Sequence, residues 1–420
     1  MYQRTVLGNG LRVVSSSMPH TRSVCISIFV GAGSRYEKTE EAGTSHFIEH
    51  LCFKGTDKRA TAKEISEAID GVGGMLNGGT DKEITVYWCK VARPHFRLAL
   101  DVLVDMLRNS RFDGQSMEKE RRVIIEELNM SMDSPPQRVN LLIDEVLWPD
   151  QPLGRDVAGS KETVSALSRQ TLLNYRAHQY VANNAVVSVA GDISHEEVLD
   201  SLISAFDDWH QGVPQSWFSA QDSQETPRFR LEHRDTEQAH LCLALRGLSY
   251  LHPDRFNLDL LNVILGEGMS SRLFLEIRER QGLAYDIHSY VDHFLDSGAV
   301  TIYAGVDLKR IDSAIEAILA ELCRLKDEVP EAELTKAKEL AKGRLMLRME
   351  DTRSVSGWMG GQEVLTGRIL TVDEVVSIID AITIPDLGRV AGELFTTDKL
   401  NLAIVGPFPD AERFQCLLKL

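Results

Sequence analysis

Two histidines and a glutamate within five residues, His46-Phe47-Ile48-Glu49-His50, are the densest chemistry in the chain. On a helix, residues i and i+4 lie one above the other, so His46 and His50 present both imidazoles on one face. Two neutral imidazoles suit Zn²⁺, and the spacing H-x-x-E-H inverts the H-E-x-x-H arrangement of zinc-dependent hydrolytic sites. Glu49 projects beside the pair, where a carboxylate that does not ligate can take a proton from water at the metal's open position. The plain alternative is a helix with two surface histidines.

A catalytic zinc needs a third protein ligand. Glu118–Asp133 (EKERRVIIEELNMSMD) reads as a helix. At ~100° per residue, Met117, Val123, Ile124, Leu128 and Met130 span one broad apolar arc, and Glu120 and Glu127 fall inside it. A carboxylate on a core-facing stripe needs a partner, because unpaired burial is costly. We assign Glu127 as the third ligand and Glu120, seven residues earlier on the same face, as the group that supports the ligands from behind. Pairing of either glutamate with a core Arg or His would meet the same need, and spacing does not choose between them.

The elements that must position these residues appear twice. Thr21–Gly31 is a β-rich apolar run ending in Gly, and Gln238–Gly247 repeats that character 216 residues later. Leu167–Tyr175 begins a helix leading into the strand Ala185–Gly191, and Ile382–Val390 leads likewise into Leu400–Gly406, at an offset of 215. Between the halves lies Gln211–Phe229, rich in Gln, Ser and Pro, which suits a linker. The expected domains are residues 1–212, a linker at 213–229 and residues 230–420. Strands alternate with long amphipathic helices without regular βαβ spacing. An α+β fold with two homologous domains from an internal duplication, each a mixed or antiparallel sheet packed with helices, fits best.

The 420 residues carry 46 basic and 62 acidic side chains, a net charge of −16 that argues against nucleic-acid binding. Such an excess favours cationic partners such as basic peptides. No apolar run is long enough to span a membrane, and the N-terminus lacks a signal or transit pattern, so a cytoplasmic location is expected. The six cysteines are scattered without a C-x-x-C pair and read as reduced core thiols.

Thr44–Thr56 (TSHFIEHLCFKGT) resembles the active-site helix of the pitrilysin/insulinase family of zinc peptidases, in particular the two-domain branch that includes the mitochondrial processing peptidases and their bacterial relatives. Glu120-Arg-Arg-Val-Ile-Ile-Glu-Glu127 resembles the family segment E-R-x-V-x-x-x-E, which implies a ligand at Glu127. The likeness extends through Asn9–Val13, Pro152–Gly154 and Leu265–Phe274. It implies a zinc metalloendopeptidase, each chain half of a clamshell enclosing unfolded or extended peptides. Glu276–Tyr285 resembles a family segment in which Arg and Tyr contact the substrate, so Arg278 and Tyr285 are expected to steady a developing oxyanion. Asn77, Gly78, Gly79 and Thr80 resemble a strand that pairs with the substrate backbone, with Gly78 where Ala is usual, a departure expected to loosen the strand. At an offset of 216, His46, Glu49 and His50 correspond to Asn262, Leu265 and Gly266, so the second half keeps the scaffold without the ligands. One chain carrying both the zinc motif and the Arg/Tyr segment suggests a homodimer. The other functional class is a non-catalytic scaffold subunit of the same fold.

Overall fold

The structure, a computed structural model, describes residues 2–420. The chain forms two compact units. The first comprises the segment through Leu128 with Asp156–Phe218 and Met346–Thr371, and the second comprises Asn129–Arg155, Ser219–Leu345 and Val372–Leu420.

The first unit is built on strands β1 (Gln3–Val6), β2 (Arg12–Ser17), β3 (Ser23–Val30), β4 (Met75–Thr80), β5 (Thr85–Ala92) and β6 (Ala185–Gly191). Their order is β1-β2-β6-β3-β5-β4, with β2 parallel to β6 and every other pair antiparallel. The central strands β3 and β6 are apolar almost throughout because both of their faces are covered. On one face lie α1 (Thr44–Cys52), α2 (Ala62–Asp70), α3 (Phe96–Asn109) and α4 (Gly114–Asp133), whose Phe47, Ile48, Ile65, Val102 and Ile124 share a core with Ile26 and Ile28. The opposite face receives the helix Thr352–Thr366, with Val355 and Met359 packed on Phe29 and Val186. Serine hydroxyls close that contact: Ser188 Oγ donates to the Ser356 carbonyl at 2.7 Å, and Ser356 Oγ lies 2.8 Å from Ser27 Oγ. Buried Glu363 on this helix accepts two bonds from Arg4, at 2.9 and 3.0 Å, which ties the helix to edge strand β1.

The second unit repeats the plan with β7 (Arg228–His233), β8 (Gln238–Arg246), β9 (Ala284–His293), β10 (Gly298–Asp307) and β11 (Leu400–Gly406). The order β7-β11-β8-β10-β9, with β7 parallel to β11, matches β2-β6-β3-β5-β4 strand for strand. This sheet also takes a helix from the distant half of the chain: α5 (Pro135–Leu147) sets Val139, Leu142 and Ile143 against Cys242, Ala244 and Ala403. The compact units are therefore discontinuous in sequence, unlike the continuous ranges read above. Each half's own helices cover one sheet face, and a helix from elsewhere in the chain covers the other. The passage from first to second unit at Phe218/Ser219 falls inside the Gln- and Ser-rich stretch. All six cysteines are free, and Cys25, Cys52, Cys89 and Cys242 are core residues. Cys416 is exposed and Cys323 half-buried, which corrects the reading of all six as core thiols.

Candidate metal centre

Helix α1 begins without a side-chain cap of its own. Its first amides are met instead by buried Glu37, whose carboxylate accepts from Gly43 N at 2.8 Å and Ser45 N at 2.6 Å. A carboxylate at a helix N-terminus satisfies orphan donors and opposes the positive end of the dipole. Two residues earlier, Arg35 is ion-paired with buried Glu83 in the turn between β4 and β5. The segment around Arg35 and Glu37 thus holds both the start of α1 and the turn that follows β4.

Phe47, Ile48 and Leu51 bury one side of α1, which leaves His46, Glu49 and His50 on the side turned toward α4 and β4. The two imidazoles meet at 71° with Nε2 atoms 3.2 Å apart. Glu127 Oε2 lies 3.5 Å from His50 Nε2 and 3.8 Å from His46 Nε2. A tetrahedral zinc with bonds of about 2.0–2.1 Å separates its ligand atoms by roughly 3.3 Å, so this donor set fits Zn²⁺ in chemistry and spacing. Burial, reinforced by the neighbouring His50, pushes His46 down to about 4, which keeps it in the neutral form that ligates. Its Nδ1 is buried and meets no hydrogen-bond partner among the described residues.

Glu120, on the same helix as Glu127, points its carboxylate at the back of the pair. Oε2 is 3.2 Å from His50 Nδ1, and Oε1 is 2.9 Å from Lys54 Nζ. A carboxylate on Nδ1 fixes the tautomer that leaves Nε2 as the donor. The buried stripe of α4 consists of Met117, Glu120, Ile124 and Leu128. Val123 and Met130 are exposed, and Glu127 stands between them with its side chain 43% exposed. This corrects the reading of one apolar arc containing both glutamates. Glu120 faces the core and Glu127 an adjoining open face, about 100° being too coarse a guide to separate neighbouring faces.

Glu49 is not among the three converging donors. Its Oε2 accepts from Thr80 Oγ1 at 2.9 Å, which draws the carboxylate toward β4. Burial raises its proton affinity, with Glu127 adding to the effect, while Thr80 and His50 oppose it. Strand β4 is the outer strand of its sheet and pairs with β5 in unbroken register from Met75↔Lys90 to Thr80↔Thr85. Gly78 keeps its place in that register, opposite Tyr87. It also makes room: an added Cβ would lie 2.9 Å from Glu49 Oε1 and 3.0 Å from the Phe53 ring. Asn77 points outward, with its Oδ1 accepting from Gly78 N at 2.8 Å.

In the second unit, Arg278 lies on a single π-helical turn, Phe274–Arg280, and Tyr285 at the start of β9. The Arg278 guanidinium stands 4.7 Å from the Phe274 ring centre and 5.5 Å from that of Tyr285, so these two residues are neighbours. Tyr285 is 77% exposed. Sequence reasoning missed Glu37 and Lys54. The i+4 step from His50 to Lys54 was a usable signal, whereas nothing local marks Glu37 as the cap of a helix six residues on.

Residues 12–161 match the family described as Insulinase (Peptidase family M16), and residues 166–340 match the Peptidase M16 inactive domain. An uncharacterized zinc protease of Bacillus subtilis is 38% identical over 97% of this chain and 98% of its own. One from Mycobacterium leprae is 36% identical over 96% and 92%. A solved structure of a protease from Helicobacter pylori superposes with a TM-score of 0.90 at 23% identity, covering 96% of this chain and 99% of that one, which is likeness of fold.

Proposed function

We propose, from the premise that the chain belongs to the insulinase family of M16 peptidases, that it is a zinc-dependent metalloendopeptidase acting on unfolded or extended peptides. The observation that carries this reading is the convergence of His46, His50 and Glu127, whose ligand atoms all lie within 4.8 Å of one another, beside a fourth group, Glu49, held apart from them. These three residues would hold the zinc, which when bound supplies Lewis-acid polarisation of the scissile carbonyl and makes water more acidic.

Glu49 takes the proton of the attacking water and passes it to the leaving amine. Its raised proton affinity suits both directions of that transfer. Thr80 holds the carboxylate in place between them. Glu120 keeps His50 in the ligating tautomer, and Lys54 balances the charge of Glu120. The free outer edge of β4, from Asn77 to Thr80, offers backbone groups to an extended peptide. Arg278 and Tyr285 are assigned to the substrate carbonyl region as hydrogen-bond donors. Homodimeric assembly belongs to the same proposal, and a monomer at working concentration would remove it. No helix is long and apolar enough to cross a membrane among the described residues.

The deciding experiment is Glu49→Gln in the full chain. Zinc content should match wild type, while cleavage of a quenched peptide falls about a hundredfold to ten-thousandfold, the range for loss of a general base. Wild-type activity should vanish on chelation and return with stoichiometric zinc. Unchanged turnover in the variant would refute the assigned base. A zinc-loaded wild-type protein that cleaves nothing in a varied peptide library would point to the scaffold class.

A further inference from the structure

A fully buried guanidinium joins the turn after β4 to the last residues of the first unit. The Arg35 side chain has no exposed surface, and each part of its planar group meets a different partner. One terminal nitrogen is ion-paired with buried Glu83, and Nε donates to the Phe218 carbonyl at 3.0 Å. Its face lies 4.3 Å from the ring centre of Trp217, which packs in turn on the core of this unit. Glu83 belongs to the turn between β4 and β5, whereas Trp217 and Phe218 immediately precede the passage into the second unit.

The backbone beside Arg35 grips the same turn. Ser34 N and Arg35 N donate to the carbonyls of Asp81 and Lys82 at 3.3 and 2.8 Å. A Cβ at Gly33 would fall on those same two carbonyls, so the approach is close. Asp81 N donates to Ile84 O at 2.8 Å, which closes the turn directly after Thr80. Toward α1, Tyr175 Oη donates to Gly33 O at 3.3 Å and accepts from Ser45 Oγ at 2.8 Å. Glu37 holds the Gly43 and Ser45 amides. Residues 33–37 therefore bind the helix that carries Glu49 and the turn that follows Thr80.

A buried ion pair is often no more stabilising than apolar residues of the same volume. What a guanidinium adds is direction, because its donors lie in one rigid plane and fix where each acceptor sits. The bond from Thr80 to Glu49 is 2.9 Å long and starts at the residue where the turn begins. A turn displaced by about 1 Å would stretch that bond beyond hydrogen-bond range.

We propose that Arg35 is a positioning residue for Glu49. Its contacts to Glu83, Trp217 and Phe218 set the turn, the turn sets Thr80, and Thr80 aims the carboxylate. This rests on the reading of Glu49 as the base, and it extends that reading to the residues that aim the base.

The test uses the zinc-loaded full chain. Arg35→Lys keeps the charge and loses the rigid fork. The pair Arg35→Met/Glu83→Leu removes both buried charges together and keeps the question answerable if the single variant fails to fold. In both, kcat on a quenched peptide should fall about fivefold to tenfold, the scale of one hydrogen bond, with KM and zinc content held. In a Thr80→Val background the same changes should cost less than about twofold more, because the bond they act through is already gone. Additive losses, loss of zinc, or a raised KM with kcat intact would overturn the proposal. Trp217→Leu should cost about threefold in kcat, and Trp217→Phe should recover most of it by restoring an aromatic face to the cation. Hydrogen exchange reads the turn without turnover: in Arg35→Lys the amides of Ser34 and Asp81 should exchange about tenfold faster, with those of β3 and β6 unchanged. Faster exchange there in a protein whose wild type cleaves nothing would keep Arg35 as the holder of the turn and remove the peptidase. Unchanged exchange would remove the role of Arg35 whether or not peptides are cleaved.

Discussion

Helix α1 against β4 and helix Arg255–Gly266 against β9 are the same pair of elements on the same sheet plan, yet their contacts are opposite in sense. In the first unit the small residue is on the strand, and Gly78 leaves space into which Glu49 leans. In the second it is on the helix: a Cβ at Gly266 would lie 2.3 Å from Ser289 Oγ and 2.6 Å from its backbone nitrogen. Asn262, the counterpart of His46, accepts from Ser289 Oγ at 2.6 Å, which seals helix to strand. One copy keeps an open seam with ionisable groups in it, and the other has closed that seam. A shared fold therefore leaves the chemistry to the side chains at the seam.

Converting the first copy to the second should have the largest effect. His46→Asn with His50→Gly should abolish both stoichiometric zinc and peptide cleavage, measured by metal analysis and a quenched substrate, while circular dichroism shows the sheet and helices retained. Retained metal would move the site elsewhere. The reverse transplant, Asn262→His with Gly266→His, should not create a second zinc site. It drives a side chain into the Ser289 backbone and should destabilise the second unit by about 1–3 kcal/mol, the usual range for overpacking. A folded protein with two zinc ions would show that the closed seam is no barrier.

Glu120 has no counterpart that meets a metal ligand in the second unit, so it sharpens the contrast. Glu120→Gln should weaken zinc binding about 10–100-fold, as loss of a partner behind a ligating histidine does. Competition with a chelator of known affinity checks this. An unchanged affinity would mean that Glu120 serves only to pair Lys54.

How much of this was legible in the sequence follows from the range of the interactions involved. His46, Glu49 and His50 declare themselves because helical spacing is a local property, and Glu127 lies on one helix with Glu120. The duplication was legible through its apolar strands, because core strands tolerate little change of type. The placement of α5 and Thr352–Thr366 on sheets built mainly from distant segments was not, since an apolar helix stripe does not say which sheet it will cover. The bulge at Tyr285, where Gly305 pairs with Asp286 and Val306 with Ala284, was equally hidden, for it depends on register with β10 rather than on any residue near it. His240 and His288 acquire aromatic neighbours only once β8, β9 and β10 are in register around Tyr303.

The smallest expected effect concerns the open seam itself. Thr80 and Glu49 meet through a single hydrogen bond of 2.9 Å to a carboxylate, where the second unit's sealed seam has Ser289 Oγ donating to the neutral amide of Asn262. Thr80→Val keeps the size and β-preference of the side chain and removes only the donor. Zinc content and KM should hold, because neither the ligands nor the outer edge of β4 changes. The cost should fall on kcat, by about tenfold, the equivalent of one charge-assisted hydrogen bond of about 1.4 kcal/mol that no longer orients the base. Thr80→Ser restores the donor and should recover most of the rate. If Thr80→Val loses zinc instead, or raises KM with kcat intact, the bond shapes the strand rather than the base, and the seam is open for a reason other than Glu49.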